Sequence, residues 1–172
     1  MTATKTLVAG IGNIFNGDDG FGSEVAQRLA ARPMPEGVRV EDYGIRGVHL
    51  AYELLEGYDL VVLVDAVDRR AAPGSLFVIE PDLSDAREAA GEAAGSMLDA
   101  HDLAPQAALS LVPVLGGRLG RVLVVGCQPE SVADGMGLSA PVAAGLGQAA
   151  ELVRRLVGEP QETVAVHGER RG

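Results

Sequence analysis

The chain has 172 residues, 47% of them hydrophobic and 3% aromatic, and a formal net charge of −10 at pH 7. This length predicts one domain with a buried core of Val, Leu, Ile and Ala. The negative charge argues against nucleic acid and anionic membrane surfaces as partners, because both repel an acidic protein. Cys127 is the only cysteine, which excludes an internal disulfide and a C-x-x-C motif. Without a signal-peptide pattern or a long apolar run, the expected location is the cytoplasm.

Short apolar runs alternate with amphipathic segments along the chain. Strands are predicted at residues 7–11, 38–40, 60–64, 75–79 and 121–125. Helices are predicted at residues 19–31, 48–55, 103–115 and 141–157, and the Ala-rich stretch 82–100 is predicted to be a partly helical surface excursion. The alternation predicts an α/β three-layer sandwich in residues 1–158, with a twisted, mostly parallel five-stranded sheet between helices. Residues 159–172 are predicted to be a flexible tail.

Polar residues that directly follow strands are the first candidates for a site, since ligands of such sheets bind beyond the carboxyl ends of the strands. Asp18 and Asp19 lie in a glycine-rich loop after the first strand, Asp65 ends the central strand, and His101 precedes a helix. Each also has a structural interpretation: a helix cap for the acidic pair, a strand-end turn for Asp65 and a surface histidine for His101. The claims of the other two histidines are weaker, because they fall in a predicted helix and in the predicted tail, at His49 and His167.

Two carboxylates and one imidazole on converging loops would form a three-ligand metal site with open positions. Such oxygen and nitrogen donors suit a borderline divalent transition metal, and nickel stands high in the affinity order. A site without thiolates would hold a metal only loosely by itself.

The sequence also contains features of a nucleotide-binding loop and a cysteine to be considered as a nucleophile. Gly10-x-Gly12 follows a strand as in a dinucleotide fold, but Phe15 occupies the third glycine position and the acidic pair would face the pyrophosphate. A nucleotide-binding module is therefore a weaker hypothesis. Cys127, at the end of the fifth strand, is interpreted as a small apolar core residue rather than a nucleophile.

Four segments appear in an order that resembles a known family: GIGNIFNGDDGFG at Gly10–Gly22, VLVDA at residues 62–66, His101, and VVGCQPE…GLS within residues 124–139. Together they resemble the hydrogenase maturation proteases, the endopeptidases of nickel-iron hydrogenases. The resemblance extends from about Leu7 to about Val157. It implies a sheet between helices and removal of a C-terminal peptide from the hydrogenase large-subunit precursor after nickel insertion.

The resemblance also carries the family's three metal-contacting positions onto Asp19, Asp65 and His101. In that family the nickel belongs to the substrate, so the resemblance implies that these residues recognise it and make cleavage conditional on nickel. Asp18 would orient water or cap the helix, and no residue arrangement indicates a protein nucleophile. Two departures stand out: Asp99 replaces a frequent Ser, and IRGVHL at residues 45–50 replaces a turn that contains Gly-Thr.

Two expectations complete the prediction. One small domain that acts on a large partner is expected to be a monomer. The alternative to the enzyme is a non-catalytic, nickel-dependent binding or chaperone protein for the large subunit, which would need the same recognition residues.

Overall fold

The computed structural model describes residues 4–83 and 105–158. Its elements, in chain order, are β1 (Thr6–Ile11), α1 (Phe21–Ala30), β2 (Val38–Gly44), α2 (Gly47–Leu54), β3 (Leu60–Ala66), β4 (Leu76–Ile79), α3 (Pro105–Val114), β5 (Arg121–Cys127), α4 (Ala140–Ala144) and α5 (Leu146–Gly158). A 3-10 turn, Gly17–Gly20, leads into α1. Within these ranges no helix has the length and apolar character needed to cross a bilayer.

The five strands form one sheet in the order β2-β1-β3-β5-β4. The first four pair in parallel, and β4 runs antiparallel to β5 at the edge. The predicted five-stranded, mostly parallel sheet is therefore confirmed. All residues of β1 are buried and β3 is buried up to its last residue, as expected for strands covered on both faces.

Helices cover both faces of the sheet and form the outer layers of the predicted sandwich. Strand side chains alternate between the two faces, so neighbours such as Val62 and Leu63 belong to different cores. Val62 packs in the core with α1 and α5. Leu63 packs in the core with α2 and α3. Each core consists mainly of aliphatic side chains, as the composition predicts.

Three of the differences from the predicted boundaries have a clear physical reason. Strand β2 continues past Val40 to Gly44, because an edge strand tolerates polar side chains that end an apolar run. The first helix begins at Phe21, since the preceding four residues form the 3-10 turn. The last predicted helix is divided at Gly145, where a glycine of low helix propensity separates α4 from α5.

Some predicted segments lie outside the described residues. They are the tail 159–172, most of the excursion 82–100 and the first two residues of the predicted helix 103–115.

The strand order creates a topological switch point between β1 and β3. From the carboxyl end of β1 the chain crosses to β2 on one side, whereas from the carboxyl end of β3 it continues to β4 and β5 on the other side. Connections that diverge in this way leave a crevice at the carboxyl ends of the two strands, where α/β proteins commonly bind ligands. The loop after β1 and the end of β3 both reach this crevice.

Candidate active site

Two glycines bring the loop after β1 against the end of β3. A Cβ on Gly10 would lie 2.4 Å from the carbonyl oxygen of Gly22. A Cβ on Gly22 would lie 2.0 Å from the carbonyl oxygen of Val64 and 2.3 Å from that of Ile11. The first turn of α1 therefore rests directly on the backbones of β1 and β3. As a result, the turn that carries Asp19 lies beside the end of β3, where Asp65 follows Val64.

Asp19 is half-buried in the 3-10 turn after β1. Its Oδ2 accepts a hydrogen bond of 2.9 Å from the backbone N–H of Asn13. The loop backbone also approaches it closely, since a Cβ on Gly12 would lie 1.8 Å from the Asp19 carbonyl oxygen. Gly12 has a φ of +125°, which a residue with a side chain rarely adopts. Glycine at this position therefore lets the loop fold tightly around Asp19.

Asp65 is 6% exposed and stands at the carboxyl end of β3, opposite Gly126 of β5. Its Oδ1 accepts a hydrogen bond of 2.8 Å from the backbone N–H of Ala66. Strand alternation places Asp65 on the same face as Leu63, which is the face covered by α2 and α3. The Asp65 carboxylate therefore lies beside the crevice, at the end of the α2–α3 core that is nearest the carboxyl ends of the strands.

His101 lies outside the described residues, so its position relative to the two aspartates stays a prediction. Within residues 4–83 and 105–158, no group of three or more His, Cys, Asp or Glu is placed to hold a metal ion. The described part of the chain thus brings Asp19 and Asp65 to one switch point and leaves the third member of the predicted set untested.

Asp18 has surroundings very different from those of its neighbour. It is 1% exposed, and its carboxylate accepts hydrogen bonds from the backbone N–H groups of Glu130 (2.8 Å), Ser131 (3.1 Å) and Ser139 (2.7 Å). The hydroxyl of Ser139 donates a fourth at 2.8 Å. Burial raises the pKa of Asp18, but these four hydrogen bonds outweigh it and the net pKa is lowered. The carboxylate thus binds the loop after β5, rather than the backbone of α1 as a helix cap would.

Cys127 ends β5 and is fully buried in the core with α1 and α5. Burial, with a smaller contribution from the Asp18 carboxylate, raises the pKa of its thiol to about 11. A protonated, inaccessible thiol is not a nucleophile at neutral pH. The structure agrees with its interpretation as a core residue.

Gln128 is a residue that the sequence reasoning missed. It is buried, its Oε1 accepts hydrogen bonds from the backbone N–H groups of Arg69 (2.7 Å) and Ala71 (3.2 Å), and its Nε2 donates to Asp68 at 3.0 Å. These bonds hold the loop after β3 against the end of β5. The available signal was its place directly after a buried strand, the same criterion that selected Asp65.

Comparison with known proteins decides the family. Residues 23–156 match a family model described as HycI, hydrogenase maturation protease. The chain belongs to the hydrogenase maturation protease family. The resemblance stated from the sequence motifs is therefore confirmed, and so is the prediction that the protein is a hydrolase.

Individual members of the hydrogenase maturation protease family agree over nearly the whole chain. The hydrogenase expression/formation protein HoxM of Azotobacter vinelandii is 32% identical, over 92% of this chain and 75% of its own length. A hydrogenase 2 maturation peptidase from a Thaumarchaeota archaeon is 32% identical, with a TM-score of 0.68 over 90% of this chain and 98% of that one. The hydrogenase maturating endopeptidase HybD from E. coli is 26% identical, with a TM-score of 0.69 over 87% of this chain and 89% of that one.

Proposed function

We propose that this protease removes the C-terminal extension of the nickel-iron hydrogenase large-subunit precursor after nickel insertion. We further propose that Asp19, Asp65 and His101 contact the nickel of that substrate. The observation that supports this most directly is the placement of Asp19 and Asp65 at the switch point between β1 and β3. Two carboxylates from separate strand ends lie at the same crevice there, and in our proposal both contact the metal of the substrate.

The donor set fits a metal that arrives with the substrate. Carboxylate and imidazole groups suit a divalent transition metal such as nickel, but three such groups without a thiolate bind it weakly by themselves. A metal already held by the precursor needs only open coordination positions to be contacted. Weak intrinsic affinity then becomes useful, because the enzyme engages the precursor only when the precursor carries the metal.

The connection into α3 supports His101 as the third contact. Helix α3 links the antiparallel edge strand to the parallel β5 and packs in the same core as Leu63, on the face where Asp65 lies. Because β5 starts at the amino ends of the parallel strands, α3 ends there and begins near their carboxyl ends. His101 precedes Pro105 by four residues, a chain length that spans at most about 14 Å. On this ground we include His101 in the proposed set of nickel contacts.

The catalytic benefit would come from positioning. Contacts to the substrate nickel would fix the scissile peptide bond beside the metal, and fixed geometry can supply a large part of the lowering of a barrier. The substrate's metal can also polarise a carbonyl or activate water. The fully buried Cys127 takes no part in the proposed reaction. We propose that the protein acts as a monomer. We also propose that it acts in the cytoplasm, a reducing compartment in which a single free cysteine stays reduced.

The test is a processing assay. Purified protein is mixed with nickel-loaded or with metal-free large-subunit precursor, and the product mass is followed by mass spectrometry. We expect release of the C-terminal peptide from the nickel-loaded precursor only. Equal cleavage of the metal-free precursor would refute nickel reading, whereas binding of the precursor without peptide release would favour the non-catalytic chaperone.

A pair of variants at the two ends of β3 sharpens this assay. Asp65→Ala is expected to abolish processing while the far-UV circular dichroism spectrum stays native. Asp59→Ala is the matched control, because Asp59 is exposed just before the amino end of β3, where its carboxylate accepts a hydrogen bond from the Lys5 N–H. Full activity of Asp65→Ala would remove Asp65 from the site.

A further inference from the structure

Two loops at the carboxyl edge of the sheet are joined into one rigid unit. We call residues 12–20 and 128–139 the double loop. The backbone N–H of Gly17 donates to the Gly135 carbonyl at 2.8 Å, and the N–H of Gly135 donates to the Phe15 carbonyl at 2.8 Å. The N–H of Asp18 donates to the Ser131 carbonyl at 2.9 Å, and the Asp18 carboxylate binds the same loop in return. The backbone positions that carry the side chains of the two loops are therefore held relative to one another.

The double loop exposes large apolar side chains to solvent. Phe15 is 60% exposed and Met136 is 72% exposed, and Ile14 and Val132 are also exposed. Ile14 and Met136 line a cleft of about 290 Å³ whose other apolar wall is Leu146 of α5. The apolar part of this cleft suits one or two apolar side chains of a protein partner. Apolar groups clustered at a fixed site mark an interaction surface.

This surface is continuous with the candidate active site. The N–H of Asn13, the residue before Ile14, donates to the Asp19 carboxylate, so the apolar cluster and Asp19 belong to one loop. Anything that seats on Phe15 and Met136 would be held next to the switch point.

The charges of the double loop narrow the partner's chemistry. Residues 12–20 and 128–139 contain four carboxylates and no Lys or Arg. Asp18 is buried and satisfied and Asp19 belongs to the site, which leaves Glu130 and Asp134 as exposed charges on the rim. Glu24 and Arg28 of α1 border the cleft on its other side. A segment that is apolar and carries a basic side chain is complementary to the double loop.

We propose that the double loop is the docking surface for the segment of the hydrogenase large-subunit precursor that flanks the cleaved bond, with an apolar side chain seated between Ile14 and Met136. This inference rests on the proposed function for the identity of the partner. It adds the residues that select the substrate's polypeptide, which the metal contacts by themselves would not do.

The test compares surface variants in the full-length protein. Phe15→Ser combined with Met136→Ser is expected to raise the KM for nickel-loaded precursor roughly tenfold or more while kcat changes less than about twofold. Tyr52→Ser is the matched control. Tyr52 is 65% exposed on α2. Its neighbour Glu53 lines a pocket with Lys5, which precedes β1 and so lies at the amino ends of the parallel strands, away from the double loop. The KM of this control variant is expected to equal that of the wild type.

Two further measurements separate the possible failures. The Kd for the precursor, measured by biolayer interferometry, should weaken in the double variant as KM does, and the Glu130→Gln/Asp134→Asn pair should reduce the salt dependence of Kd. If the wild type binds the precursor without cutting it, the proposed function fails while Kd still decides the docking surface. Unchanged KM and Kd in the double variant would overturn the docking surface. So would a wild-type dimer that these substitutions convert to a monomer with unchanged KM.

Discussion

Asp18 and Ser139 are 121 residues apart in the chain and are joined by two hydrogen bonds, from the Ser139 N–H at 2.7 Å and from its hydroxyl at 2.8 Å. Ser139 is the N-cap residue of α4. The carboxylate of Asp18 therefore fixes where the loop after β5 ends and where the C-terminal helices begin. The two adjacent aspartates therefore have different roles, because Asp18 is directed into the protein and Asp19 remains half-buried at the crevice.

Asp18→Asn should destabilise the fold by about 1 to 3 kcal/mol at neutral pH, because an amide cannot replace all four hydrogen bonds. The pKa of Asp18 is lower in the folded than in the unfolded protein, so its stabilisation is fully present above the unfolded pKa. That stabilisation is lost as the pH falls through the folded pKa. The difference between wild type and variant in urea denaturation should therefore shrink as the pH is lowered below about 4.

Asp134→Asn is the control for this pH dependence, since Asp134 is an exposed carboxylate on the same loop. Its stability curve should follow that of the wild type from pH 3 to 7. A gap between wild type and Asp18→Asn that stays constant across this range would contradict the assigned role of the Asp18 carboxylate.

Substitutions at Asp19 separate its charge from its hydrogen bond. Asp19→Asn keeps an oxygen that accepts from the Asn13 N–H, so the melting temperature should change little. If the charge contacts the substrate's nickel, processing should fall at least roughly 100-fold. Asp19→Glu keeps the charge and should retain part of the activity. Activity of Asp19→Asn equal to that of the wild type would show that Asp19 only shapes the loop.

Gly22→Ala should destabilise the protein by about 1 to 3 kcal/mol or more and reduce processing, because the new Cβ would overlap the backbone oxygens of Val64 and Ile11. The helix could relieve the overlap only by moving away from β1 and β3, which would also displace Asp19. Gly147→Ala is the control, since its Cβ would meet only the flexible end of Arg28 at 3.5 Å. It should be neutral or up to about 1 kcal/mol more stable. Equal denaturation midpoints for the two variants would contradict the close approach.

Gln128→Glu should destabilise the loop after β3 by about 1 to 3 kcal/mol at neutral pH. A carboxylate can still accept from the Arg69 and Ala71 N–H groups, but its second oxygen would face Asp68 where Nε2 now donates at 3.0 Å. Like charges at this distance raise the pKa of the pair, so a shared proton should restore stability on acidification. Chemical denaturation at pH 7 and pH 4.5 measures this, and a penalty that grows at the lower pH would argue against the contact.

Local patterns in the sequence were enough to predict the fold class. Apolar runs such as Leu60–Val64 have no polar alternation, and that pattern depends only on burial on both faces of a parallel sheet. The ends of elements were harder to place, as β2 shows, because its polar second half is held by pairing with β1 rather than by burial. The order of the motifs and the loop Gly10–Gly22 also indicated the family. Glycines that allow two backbones to touch can be recognised from their spacing in the sequence, and such a spacing is specific to few families.

The sequence by itself was enough to nominate the candidate site residues, since position after a strand and residue type are both readable along the chain. It did not show what the Asp18 carboxylate binds, and it did not find Gln128. Their roles depend on hydrogen bonds to partners more than fifty residues away, and those partners are chosen only when β5 pairs with β3 and brings its loop beside the loop after β1. The tertiary structure decided that the buried Asp18 carboxylate holds the loop after β5, whereas the Asp19 carboxylate lies at the crevice.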